Sequence, residues 1–419
     1  MKNNNKFKKI NRTSDLYIAI ALTISMFLLL FFPQNVYFNL LFIIVVFLLY
    51  ILFNLPNFKI NLNASIFSLL LFIIISIFGL LMGSSPADGA NTFILQLCVV
   101  FLVQISLTGN IVNFSYIKNG FLFLCILIII GNIIQIINPE FLITINQMHL
   151  HDYFLNSTTQ YIREGRLNSF TFNTGVNAFF IMILLFAILN NMLASKKTSR
   201  KIIYAFFSLF LLYLLIGTHR RTHLIAFVIV FAISMILHYK FSFKSFFKIL
   251  FFIGLFIILF LNTEIGQAMI QRILLNNDIN DITTGRWPVY KQMWSDFLSK
   301  PLLGHGTYTT SQNIYLSFGH NIYLQVLREN GIIGFLAFLS YLIINLYYST
   351  RIFFINTTKR LRKENLLLFQ IQLSFIIIGV SENPLYELYT LLTYVIVVSV
   401  MYTMISKKNM ISSESSLEV

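Results

Sequence analysis

Long apolar stretches separated by short polar turns make up most of the chain. A helix needs roughly 20 apolar residues to cross a bilayer. Twelve stretches approach that length, near residues 16–32, 36–53, 64–82, 91–107, 119–137, 173–193, 202–217, 222–238, 246–262, 331–349, 366–382 and 385–405. The pattern predicts an all-α, polytopic membrane protein with about twelve transmembrane helices. We expect residues 1–419 to form a single integral membrane domain.

Composition agrees with a lipid environment. Hydrophobic residues make up 57% of the sequence and charged residues only 11%, whereas soluble domains carry about 25% charged residues. The first apolar stretch follows a basic head, lacks a small-residue cleavage site and precedes further spans, so we expect no cleaved signal peptide. Cys98 and Cys125 both lie inside apolar stretches, which disfavours a disulfide framework or a cysteine metal site.

The basic residues predict the orientation of the chain. Lys and Arg accumulate in the cytoplasmic loops of membrane proteins. With both termini inside, cytoplasmic segments hold 21 of the 30 basic residues, including the runs at 196–201 and 359–363. The net charge of +15 is therefore interpreted as a topology signal, and we expect no nucleic-acid partner. The expected location is the plasma membrane, in contact with membrane lipid, with both termini cytoplasmic.

Two long loops are predicted on the outer face, at 138–172 and 263–330. Six of the seven histidines fall in outer segments. Within the second loop, residues 286–298 place aromatic and aliphatic side chains at helical spacing with polar residues between them. This pattern predicts an amphipathic helix that lies on the membrane surface or packs on the bundle. Glu382 and Glu387, near the last spans, either contact a ligand or pair with an arginine.

Several arginines lie near the predicted outer ends of the spans. Arg220 and Arg221 occupy a tight turn between two apolar stretches, where an arginine must snorkel, pair or bind an anion. Arg286, after Thr284-Gly285, and Arg166, after Glu164-Gly165, are further outer candidates. Because guanidinium groups match phosphate oxygens with two hydrogen bonds, these arginines indicate a pyrophosphate ligand as one interpretation and lipid headgroup contacts as the other.

Histidine spacing raises a metal site as an alternative. The run His149-Leu150-His151-Asp152 and the pair His219 and His223 resemble zinc-ligand spacing. No third ligand is fixed by the sequence. We therefore expect neither a metal nor another cofactor.

One segment, residues 284–334, carries the most specific motif. It comprises Gly285-Arg286, Trp294, Pro301-Leu302-Leu303-Gly304-His305-Gly306, and His320-Asn321 followed after nine residues by Gly331-Ile332-Ile333-Gly334. This motif resembles that of the O-antigen ligase and polysaccharide polymerase family of membrane glycosyltransferases. Twelve spans, a long late outer loop and the Arg221-Thr222 step agree with that family. The segment 166–173 is a weaker match, with Ser169 where the family pattern has glycine.

The resemblance implies a metal-independent transfer from a polyprenyl-pyrophosphate-linked oligosaccharide. In it, Arg221 and Arg286 would contact the leaving pyrophosphate, with Arg220 and Arg166 as helpers. His320 would be the general base that takes a proton from the acceptor sugar hydroxyl, although a helix-start residue bonded to backbone is the alternative.

Two further motif positions are assigned to substrate binding: Asn321 and His305. Gly331 and Gly334 are expected to permit close backbone packing. A flippase and a chain-length regulator are the partner proteins that the resemblance implies.

Three functions follow from these observations. The preferred one is a polymerase that joins repeat units of capsule, exopolysaccharide or O-antigen on the outer leaflet. A ligase that moves finished glycan to another acceptor is the alternative within the same family. A lipid-linked oligosaccharide flippase or transporter is the third, but it would need charged groups along a cavity within the membrane, and the predicted spans carry almost none.

Overall fold

The computed structural model describes residues 2–55, 58, 60–82, 89–108, 114–239, 254, 267, 285–307, 319–355 and 359–417. Within them the chain is helical, and no strand occurs in this part. The helices are α1 Lys2–Phe31, α2 Val36–Asn54, α3 Ala64–Met82, α4 Ala90–Thr108, α5 Phe114–Ile137, α6 Pro139–Gln147, α7 Asp152–Arg163, α8 Thr174–Ala194, α9 Thr198–Gly217, α10 Arg221–Tyr239, α11 Trp287–Ser299, α12 Ile322–Ile355, α13 Lys359–Ile378 and α14 Leu388–Leu417.

Eight of the described helices are long and apolar enough to cross a membrane: α2, α3, α4, α5, α8, α9, α12 and α14. Two shorter apolar stretches, Leu16–Phe31 in α1 and Arg221–Leu237 in α10, fall below that length. The predicted span at 246–262 lies outside the described residues. The predicted all-α, multi-pass fold class is therefore confirmed, whereas the count of twelve spans is not.

Apolar side chains cover the outside of the bundle as well as its interior. Phe179, Phe180 and Phe338 are fully buried, while Phe53 and Phe67 expose about two thirds or more of their surface, at 76% and 67%. In water, apolar patches of this kind would drive association. Lipid contact removes that cost, so the two-sided hydrophobicity fits a membrane environment.

Two contacts join segments that the charge pattern assigns to the same end of the bundle. At one end, Gln34 donates a 2.7 Å hydrogen bond from its amide to the carbonyl of His149, joining two predicted outer segments. At the other end, Lys118 pairs with Glu364 at 3.9 Å, joining two predicted cytoplasmic segments. The up-and-down order of the helices is therefore consistent with the predicted alternation.

The longest apolar helix, α12, is broken near its start. Gly331 has φ 61° and ψ −167°, a backbone conformation that essentially only glycine adopts. The break frees the carbonyls of Arg328 and Glu329 from their helical partners. The amides of His305 and Gly306 donate to those two carbonyls, each at 2.9 Å. A loop from the preceding segment thus replaces the lost helical bonds.

The same loop, residues 301–306, also serves the helix beyond the break. The amide of Ile332 donates to the carbonyl of Pro301 at 2.8 Å. A Cβ on Gly331 would collide with the backbone of Leu302, and one on Gly304 would collide with the backbone at Glu329. Gly331 therefore permits close backbone approach, as predicted, and Gly304 does the same, whereas a Cβ on Gly334 would meet side chains of Asn330 and Ile75. We call this arrangement of the 301–306 loop and Gly331 the kink region.

The last two apolar helices are shorter at their facing ends than predicted. The predicted boundaries at 382 and 385 are wrong: α13 ends at Ile378 and α14 begins at Leu388. Pro384 has no backbone N–H and disfavours helical geometry in the residue before it. Residues 379–387 consequently form a non-helical connection, here called the 379–387 segment, at the predicted outer end.

Candidate active site

The 379–387 segment ties together the starts of three helices. The carbonyl of Ser381 accepts a 2.7 Å hydrogen bond from Nη1 of Arg286, which precedes α11. The Ser381 hydroxyl lies 2.7 Å from that of Thr222 in the first turn of α10. The carbonyl of Gly379 accepts from the amide of Ile322, the first residue of α12, at 2.9 Å. Residues far apart in sequence therefore meet at one end of the bundle.

Glu382 lies at the centre of this meeting point. Its Oε1 is 3.5 Å from Nη1 of Arg220, and its Oε2 is 3.8 Å from Nδ1 of His320. The carboxylate is only 15% exposed. Burial alone would raise the pKa of this carboxyl, but the His320 ring and the neighbouring guanidinium groups outweigh burial and lower the pKa to about 2. Glu382 is thus ionised at neutral pH and attracts cations from two directions.

Arg220 is oriented by the start of α8 as well as by Glu382. Its Nε donates to Oγ1 of Thr174 at 2.6 Å, and its Nη2 donates to Oδ1 of Asn173 at 2.7 Å. Asn173 is also the N-cap of α8, because the same Oδ1 accepts from the amide of Gly175 at 2.8 Å. The guanidinium fork is therefore held in place before any ligand arrives.

His320 stands at the exposed edge of the cluster, with 47% of its side chain accessible. Its φ of +50° places it in the left-handed region, which is uncommon for residues other than glycine. Next to it, Asn321 accepts hydrogen bonds at Oδ1 from the amides of Tyr323 and Leu324, at 3.0 and 3.1 Å. Asn321 thereby caps α12 and fixes the position from which the His320 ring extends.

The other predicted site residues lie around the cluster or apart from it. Arg221 is partly buried at the start of α10, beside Arg220. The guanidinium of Arg166 pairs with Glu164 at 2.8 Å within its own loop. His305 belongs to the kink region, where its Nε2 lies 2.8 Å from the carbonyl of Asp296 at the end of α11. The structure therefore brings Arg220, Arg286 and His320 together around Glu382.

A small cleft of about 10 Å³, roughly the space of one water molecule, opens beside the cluster between α8, α10, α13 and α14. Its lining includes Asn173, Phe179, Arg220, His223, Glu382 and Glu387. Apolar and charged groups thus share one small space. The described residues contain no group of three or more His, Cys, Asp or Glu side chains arranged to hold a metal ion.

Sequence reasoning assigned no definite role to Glu382, the residue that joins the cluster. The signal was available in part, because a carboxylate at the edge of an apolar stretch requires a partner. The two alternatives named for it were ligand contact and pairing with an arginine, and the structure shows the pairing with Arg220. Ser169, where the resemblance has glycine, adopts φ +58°, so the backbone there is of the kind glycine favours.

Comparison with known proteins bears on these residues directly. Residues 206–339 match a family model described as O-antigen ligase, and this range includes Arg220, Arg286 and His320. The comparison with curated proteins gave no match. The family match confirms the resemblance predicted from the motif and supports an O-antigen ligase or polymerase type of family for this membrane protein.

Proposed function

We propose that the protein is a polysaccharide polymerase acting at the outer face of the plasma membrane. It joins polyprenyl-pyrophosphate-linked oligosaccharide repeat units of a capsule, an exopolysaccharide or an O-antigen. The observation that carries this proposal is the cluster of Arg220, Arg286, His320 and Glu382 at the end of an apolar bundle. The cluster brings anion-binding groups next to a histidine, and we expect it to lie at the depth of a lipid-linked pyrophosphate.

The acceptor is activated by His320. Its Nδ1 faces the ionised Glu382, so the ring proton is expected on Nδ1 and the Nε2 lone pair remains available. Nε2 takes the proton of an acceptor sugar hydroxyl while that oxygen attacks the donor sugar. Glu382 then stabilises the imidazolium that forms, as the carboxylate does in catalytic triads. The near-neutral titration of histidine suits this exchange.

The donor is held by the arginines. The acceptor oxygen forms a bond to the anomeric carbon of the donor sugar, and the bond from that carbon to the pyrophosphate oxygen breaks. The electron pair stays on the pyrophosphate, whose negative charge increases. Arg220 and Arg286 are already positioned by neutral oxygens of Asn173, Thr174 and Ser381, so they can stabilise this charge with little reorganisation. Because the leaving group needs no activated water, the reaction requires no metal.

A ligase is the second candidate, because the matching family model is described as O-antigen ligase. The same groups would then transfer finished glycan to a different acceptor. Purified protein incubated with lipid-linked repeat units alone, with and without EDTA, separates the candidates. A ladder of lengths that survives EDTA is the expected result. A single product formed only on an added acceptor indicates the ligase. If no product of either kind forms, the transporter alternative is favoured.

The orientation belongs to the same proposal, because the donor must be supplied on the face that holds the cluster. A flippase would deliver it and a chain-length regulator would act on the product. With Cys98 and Cys125 replaced by alanine, Ser295→Cys should react with an impermeant thiol reagent in intact cells. Ser199→Cys should react only after permeabilisation. Reversed labelling would place the cluster on the cytoplasmic side and contradict the proposal.

A further inference from the structure

Glu387 lines the same cleft as Arg220 and Glu382, and the chemistry described so far does not use it. Its Oε2 accepts a 2.6 Å hydrogen bond from the hydroxyl of Tyr389, in the first turn of α14. The Tyr389 ring is itself buried and contacts Phe172 edge-on, with ring centroids 5.9 Å apart. The carboxyl group is therefore fixed on one side and faces the cleft.

The two carboxyl groups of the cleft differ in their protonation. Burial raises the pKa of Glu387, and the charge of Glu382 adds to this effect. The Tyr389 hydrogen bond and the charge of Arg220 lower it, with a net value of about 7. Glu382, in contrast, has a pKa of about 2. Neighbouring acids whose pKa values are pushed apart commonly divide acid and base roles.

The charge balance of the cleft depends on Glu387. Arg220 lines the cleft together with both carboxyl groups, and its charge acts on each of them. Ionisation of Glu387 adds a second negative charge beside Arg220, so an anion is attracted less strongly. His223 supports a ligand in this space, because its ring is 4% exposed, lines the cleft and has no hydrogen-bond partner at Nδ1 among the described residues.

We propose, on the basis of the transferase function above, that Glu387 is the general acid of the reaction. As the anomeric carbon–oxygen bond breaks, the pyrophosphate oxygen keeps the electron pair. The Glu387 hydroxyl then gives its proton to a pyrophosphate oxygen, while His320 takes the proton of the acceptor hydroxyl. Afterwards His320 releases a proton to water and Glu387 regains one, so the cycle consumes no further reactant.

The pH profile of Glu387→Gln tests this role. Initial rates with lipid-linked repeat units are measured from about pH 5 to about pH 9. The wild-type profile should show an alkaline limb near 7, where Glu387 ionises. Glu387→Gln should reduce the optimal rate by roughly 100-fold and abolish the alkaline limb. An alkaline limb that persists unchanged overturns the proposal.

Two further variants keep the test decisive. Glu140→Gln replaces an exposed carboxylate in the first turn of α6, so its profile should match the wild type. Glu387→Asp keeps an acid in a different position, so it should shift the alkaline limb, and a limb at the wild-type pH would contradict the assignment. If wild-type protein forms no product at any pH, the proposed function itself fails. If wild-type protein is active and the Glu387 variants have the same rate and pH profile, the general-acid role fails while the proposed transferase function stands.

Discussion

The cluster around Glu382 and the kink region both use residues of the 284–334 motif, but their contacts differ in kind. Around Glu382, charged side chains meet at 3.5 to 3.8 Å and His320 remains half exposed. In the kink region, backbone amides and carbonyls pair at 2.8 to 2.9 Å around Gly331. The first arrangement leaves charge and lone pairs for a ligand, while the second satisfies its own polar groups. The motif therefore encodes chemistry in its charged residues and scaffold in its glycines.

The scaffold positions the chemistry through α11. This helix begins immediately after Arg286, whose guanidinium bonds to the Ser381 carbonyl. Near its other end, Asp296 pairs with Nε of Arg328 at 2.9 Å, and Arg328 is only 2% exposed. Arg328 lies directly before the break in α12. The kink region thus anchors one end of α11, and the 379–387 segment anchors the other.

The largest expected effect comes from breaking the scaffold. Gly331→Ala should destabilise the protein by about 3 kcal/mol or more, because it combines a glycine-only backbone conformation with a clash at Leu302. Gly165→Ala is the matched control, since Gly165 also has positive φ but open space around its Cβ position, and it should cost only about 1–2 kcal/mol. Thermal unfolding in detergent measures both. Equal shifts would show that the packing at Gly331 is not essential.

Loss of an arginine from the cluster should impair transfer in protein that remains monodisperse in detergent. Arg286→Ala or Arg220→Ala should lower turnover by roughly 100-fold and weaken donor binding, because the pyrophosphate gains charge as it leaves. Lysine should rescue only in part, since it lacks the planar fork. Arg163→Ala, which removes an exposed arginine in the last turn of α7, is the control and should change little. Full activity in both cluster variants would remove the anion site from the account.

The smallest effect is expected at Asn321, which was predicted to bind substrate but caps α12. Asn321→Ala should cost about 1 kcal/mol of stability. Asn321→Asp retains the capping oxygen and should keep both stability and activity, because its carboxylate can accept from the same two amides. Thermal unfolding and transfer rates are measured on both variants and on the wild type. Loss of transfer in a stable Asn321→Asp would instead favour direct substrate contact.

Hydrophobic periodicity was sufficient to predict most of the fold. The helices α2 to α5 and α8 to α10 follow apolar stretches of about 20 residues, whereas α6 and α7 formed in the segment 138–172 that was predicted as a loop. The amphipathic pattern at 286–298 predicted α11 within one residue. Arg220, Arg221 and Arg286 were singled out because an arginine near membrane depth requires a partner, and His320 was singled out by the motif of residues 284–334. The cap at Asn321 was not predicted, although asparagine before an apolar run is a helix-start signal.

The remaining features depend on contacts between distant segments. Glu382 was placed at the end of a span because apolar residues continue past Ile378, and only the fold reveals the non-helical 379–387 segment. The pairing of the 301–306 loop with the break at Gly331 involves backbone groups, which every residue carries, so no side-chain pattern announces it. The pKa difference between Glu382 and Glu387 likewise arises from burial and neighbours that sequence alone does not give.

The most direct test of the central claim is the behaviour of His320→Ala in a purified system. Turnover with lipid-linked repeat units and donor affinity are measured on protein that remains monodisperse in detergent. Because the substitution removes the base but no charge needed for donor binding, turnover should fall roughly 100-fold or more while affinity changes little. Near-normal polymer formation by folded His320→Ala would contradict the account and make His320 a structural residue.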